Sequence, residues 1–98
     1  MVDELFELVL GETGFVVEVR CDYSFNNAKY IRIKEILVTL INEWKQNEYI
    51  PKKAMLAIVE LMICLVGGNR FLSEDEALKL EDASIEINIL LNDLYETL

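Results

Sequence analysis

The stretch 51–66 constrains the fold of this chain more than any other feature. Pro51 stands at its start, where a first helical turn tolerates a missing N–H, and Gly67-Gly68 supplies a left-handed helix stop at its end. Between them lie Met55, Leu56, Ile58, Val59, Leu61, Met62, Ile63, Leu65 and Val66. Glu60 interrupts the run and Lys52 and Lys53 precede it, so it falls well short of the ~20 apolar residues that cross a bilayer. A helix apolar on nearly every side has to be surrounded. The pattern therefore predicts the central helix of a bundle, with Leu56, Val59 and Ile63 in the core. The stripe of Lys53, Ala57, Glu60 and Cys64 reads as an exposed or closely packed edge.

Two longer helices flank that element in the chain. Tyr30, Ile33, Leu37, Leu40 and Trp44 recur at spacings of three and four, one face of a helix that Asn26 or Asn27 can cap. In Ser73-Glu74-Asp75-Glu76, the Ser73 hydroxyl can accept from the Glu76 N–H while the Glu76 carboxylate returns to the Ser73 N–H, a capping box. Ala77, Leu80, Ser84, Ile87, Leu91, Leu94 and Leu98 then hold the helical spacing to the last residue of the sequence. Nearer the start, Phe15, Val17, Val19, Cys21 and Tyr23 alternate with Val16, Glu18, Arg20 and Asp22, which predicts a strand with Phe15, Val17 and Val19 inward and Glu18 and Arg20 outward. Residues 5–10 either pair with it as a hairpin across Gly11-Glu12-Thr13-Gly14 or form a short helix ending at Gly11, the preferred reading. With the short helix, the strand edge at 15–23 is open, and pairing across a homodimer would cover it.

The expected fold is thus mainly α: an antiparallel bundle of three long helices (about 28–46, 51–66 and 74–97) with a short N-terminal helix or strand and one β-strand near 15–23. Ninety-eight residues with 53% apolar content, one Pro and four Gly suit a single domain, 1–98.

The same residues narrow the chemistry. Histidine is absent and Cys21 and Cys64 are the two cysteines, so triads with a His base and zinc sites built from His and Cys are excluded. The acid clusters lack the alternating ligands and central Gly of a calcium loop, and no Glu-x-x-His pair exists for a di-iron bundle. Gly67-Gly68-Asn69-Arg70 lacks the Lys-Ser/Thr ending of a phosphate loop and reads as a helix stop and turn. Glu60, a carboxylate among apolar neighbours, is a candidate acid or base, but its stripe reads as a helix edge. The expectation is a protein that is not an enzyme and has no cofactor and no metal. The opening residues carry Asp3, Glu4 and Glu7 where a signal peptide would be basic, which points to the cytoplasm and to both cysteines as buried free thiols.

Charge is the most informative remaining property. Residues 1–12 hold four acids and no base, residues 13–72 six acids and eight bases, and residues 73–98 eight acids and one base, for a net charge of −9. That sign disfavours nucleic acid, and no membrane segment is expected. On the last helix Leu80, Ile87, Leu91, Leu94 and Leu98 project to the core side, whereas Asp75, Asp82, Glu86, Asp93 and Glu96 project away from it with Leu78, Ile85 and Ile89 among them. This strip is either covered by the N-terminal strand or left open as a contact surface of aliphatic anchors and steering acids. The function expected from it is that of an acidic binding protein, a cognate inhibitor of immunity-protein-like or antitoxin-like kind, that blocks a basic protein partner such as a nucleic-acid-processing toxin or defence protein. The alternative is a homo-oligomeric structural or regulatory subunit in which the strip closes a symmetric dimer. The capping box carries its own test: Ser73→Ala is expected to weaken the last helix by about 0.5–2 kcal/mol, read from a denaturant melt.

Overall fold

The computed structural model describes residues 1–68 and 71–97. Over these the chain forms five helices and no strand: α1 (Val2–Leu10), α2 (Phe15–Cys21), α3 (Asn27–Trp44), α4 (Lys52–Gly67) and α5 (Glu74–Tyr95). Leu98, placed on the core side by its spacing, and Asn69 and Arg70 of the expected turn lie outside the described residues.

The N-terminal helix ending at Gly11 is present, and the strand near 15–23 is not. Its residues are helical because burial follows the helical interval: Phe15, Val16 and Val19 are inside, whereas Val17 is half-buried. The β-branched valines mimic a strand locally, and tertiary packing overrides that weak preference. With no strand there is neither a hairpin nor an open edge to pair. Gly14, itself buried, makes the sharp join between α1 and α2; a Cβ there would lie 2.7 Å from the Val9 carbonyl oxygen and 2.9 Å from the Gly11 nitrogen.

The long helices occupy nearly the predicted ranges, but the bundle is assembled differently. Helix α1 packs against both α3 and α4, and α5 packs against the same two, while α3 and α4, consecutive in the chain, stay diagonal to one another. This makes a ring of four helices, with α2 laid against α1 and α4. Lys34 of α3 pairs with Glu86 of α5 and Lys45 with Asp93, so residue numbers rise together along the two helices. Neighbours α3 and α5 are therefore parallel, because α4 carries the chain back between them.

Helix α4 is central, but its buried face is the reverse of the one expected. Ala54, Ala57, Ile58, Leu61, Cys64 and Leu65 point inward, and Leu56, Val59 and Ile63 are exposed by 49%, 44% and 55%. The stripe read as an edge is the close-packed side. Small side chains there let α1 and α2 approach, and Lys53 and Glu60 at its margin reach Asp3 at 2.8 Å and Arg20 at 3.8 Å.

At the helix starts, the Asn26 side chain accepts from the Lys29 N–H at 3.1 Å and the Ser73 hydroxyl from the Glu76 N–H at 3.3 Å. The reciprocal half of the box is replaced, since the Glu76 carboxylate accepts instead from the Phe25 N–H at 3.0 Å and ties the α2–α3 connection to α5. Phe25 in turn meets Phe15 edge-on, with ring centroids 5.3 Å apart, and Tyr30 at 5.4 Å.

Because Ala57 is fully buried, Ala57→Leu should overpack the α4 interior and lower stability by about 1–3 kcal/mol. Leu61→Ala should cost about 2–5 kcal/mol by leaving a cavity, both read from chemical denaturation.

Candidate interaction faces

Two apolar faces remain open, one on α5 and one on α4. On α5, Leu80, Ala83, Ile87 and Leu91 fill the core, and Leu78, Ile85 and Ile89 lie on the opposite side, exposed by 54%, 54% and 61%. The N-terminal segment packs elsewhere, so it does not cover this strip.

The acids around it divide into two groups. Glu86 is bound to the Lys34 ammonium and accepts from the Tyr30 hydroxyl at 3.2 Å, and Asp93 pairs with Lys45 at 2.5 Å. Lys34 on α3 and Lys45 at its C-cap lie on one side of that helix, and Glu86 and Asp93 are two turns apart on α5, so both pairs form along one seam. Asp75 and Asp82 are exposed and make no ion pair among the described residues. All seven residues projected as the contact surface thus lie on α5, but only Asp75 and Asp82 flank the strip as free carboxylates; Glu86 and Asp93 are partly neutralised. The lysines that claim them are distant in sequence, and no local spacing names them.

The second face was hidden by the reading of α4 as core throughout. Its outer side presents Leu56, Val59, Ile63 and Val66, the last 71% exposed, with Met55 beside them. At the C-terminal end of α4, the tilted rings of Tyr23 and Phe71 meet with centroids 5.4 Å apart over a cleft of about 290 Å³ that reaches Ile63 and Cys64. Tyr23 adopts a left-handed backbone, φ 52°, a conformation unfavourable for a residue with a Cβ. The cysteines also part company. Cys64 is buried, which pushes its thiol up to about 11, whereas Cys21, expected inside, is exposed at the end of α2.

Between the faces, a polar knot joins α2 to α3: Glu18 accepts from the Asn26 amide at 3.1 Å and from Lys29, which also donates to the Thr13 carbonyl. Among the described residues no helix is long and apolar enough to cross a membrane. Comparison of the chain with protein-family models, with curated proteins and with solved structures gives no match.

The Lys29 ammonium, and then the Asn26 amide, hold the Glu18 carboxyl below its ordinary range, and the Lys34 ammonium does the same for Glu86. A lowered folded pKa means stabilisation that is complete above the unfolded value, near 4.3, and lost as pH falls through the folded one. Acid titration of the melting temperature should show this loss below about pH 4.5. Glu18→Gln should lower stability at pH 7 and flatten that limb; an unchanged limb would show that the knot is not coupled to folding.

Proposed function

We propose that the chain is a non-catalytic acidic binding protein of the cytoplasm, a cognate inhibitor of the immunity-protein or antitoxin kind, which blocks a basic protein partner with the outer face of α5. A nucleic-acid-processing toxin or a defence protein is the class of partner that such a face suits. The observation that carries this reading is the open row of Leu78, Ile85 and Ile89 beside the unpaired Asp75 and Asp82. Aliphatic anchors supply affinity when buried, and exposed carboxylates steer an oppositely charged partner into place. Glu86 and Asp93, already bridged to lysines, contribute mainly by holding α5 in register with α3.

A homo-oligomer closed by the same strip is the weaker reading. Two-fold pairing would set one acidic α5 face against another, and like charges at an interface are repulsive.

Ile85→Asp with Ile89→Asp is expected to leave melting temperature and mass unchanged, since both side chains point away from the core. Capture of a strongly basic protein from the source cell should be lost through faster dissociation. Asp75→Lys with Asp82→Lys should instead slow association and reduce its dependence on salt. Retention of the basic partner by the Ile85→Asp, Ile89→Asp protein at wild-type strength would overturn the proposal.

A further inference from the structure

The outer face of α4 is a second and chemically different surface. Leu56, Val59, Ile63 and Val66 follow one another at intervals of three, four and three, the spacing of a two-helix seam, along the 16 residues of the helix. Together with Met55 and the Tyr23 and Phe71 rings they leave several hundred Å² uncovered, comparable to the ~300–600 Å² of the largest patch on a typical monomer and approaching the ~800 Å² per partner of a standard interface.

The charge around this face differs from that of the rest of the chain. Arg20, Lys52 and Lys53 border it against Asp3, Glu48, Glu60 and Glu81, so it is nearly balanced on a protein whose net charge is −9. Here two copies can meet without bringing their acidic poles together. We infer that α4 is the interface of a homodimer in which the α4 helices of two copies pack antiparallel. That direction sets Leu56 against Val66 and Val59 against Ile63 of the second copy and uses every layer of the seam. It also opposes the helix dipoles and places Lys52 toward the Tyr23 end of its mate. A parallel pair would set Lys52 against Lys52.

Sedimentation between about 5 and 200 µM tests the inference, because association must follow concentration. The wild-type chain should approach twice its 11.3 kDa mass, and Val59→Glu should stay at the monomer mass with its helical circular dichroism retained. Oxidative cross-linking fixes the direction without relying on that variant. In a Cys21→Ser background, Val59→Cys mixed with Ile63→Cys should form a disulfide-linked dimer, and neither variant should do so alone. A wild-type monomer throughout the range, cross-linking of each single variant with itself, or occupation of the face only by a different protein would each overturn it. The α5 reading is tested separately, since Ile85→Asp should not change the dimer mass.

Discussion

Everything in the bundle depends on how small the inner side of α4 is. Ala54, Ala57 and Cys64 present so little volume that α1 and α2 can lie directly on the helix, and the approach continues to Gly68, where an added Cβ would sit 3.1 Å from a Val19 methyl. Dense interiors tolerate little extra volume at such places. Once α1 occupies that side, it also fills the space between α3 and α4 and forces them to the diagonal. Helix α5 closes the ring opposite. Leu56, Val59 and Ile63 of α4 are left outside for a steric reason, although nothing in their polarity puts them there.

This explains which parts of the fold were legible in the sequence. Helix limits were written in local chemistry: Asn26 and Ser73 at two starts, Pro51 at a third, Gly11 and the Gly67-Gly68 pair at two ends, although α4 stops at Gly68 with φ −89° and not in the left-handed turn expected there. The core side of α3 was equally legible, because Tyr30, Ile33, Leu37, Leu40 and Trp44 form one stripe against a polar remainder, and all five are buried. So was the outward placement of Leu78, Ile85 and Ile89. Helix α4 was not, since a segment apolar all round carries no orienting contrast; side-chain size decided its rotation, and size matters only once the neighbouring helix is known. The seven residues of α2 were too few for helical and alternating patterns to be told apart. For the candidate site, Glu86 and Asp93 were read as outer-face acids, but they lie along the seam with α3, held by Lys34 and Lys45, and no local pattern names a partner so distant.

The charges are organised by the same architecture. Bases concentrated in the middle of the chain reach to both acidic ends: Arg32 meets Glu4 at 2.8 Å, Lys53 meets Asp3, and Lys34 and Lys45 hold α5. Exposed pairs of this kind add little energy singly. Their effect is to use up the positive charge internally, so that the outward field of α5 stays negative while the border of α4 is close to neutral. One small chain thereby offers two apolar faces that would select different occupants.

The pairing of α1 with α4 also has a consequence for synthesis. Helix α1 ends at Leu10 and α4 begins at Lys52, so at the ~5–20 residues per second of translation the first helix waits roughly 2–8 s before its packing surface begins to be made. During that interval Leu5 and Val9, both fully buried in the finished fold, have only the neighbouring α2 and then α3 for cover. Helix α1 of the nascent chain therefore stays partly uncovered until α4 emerges.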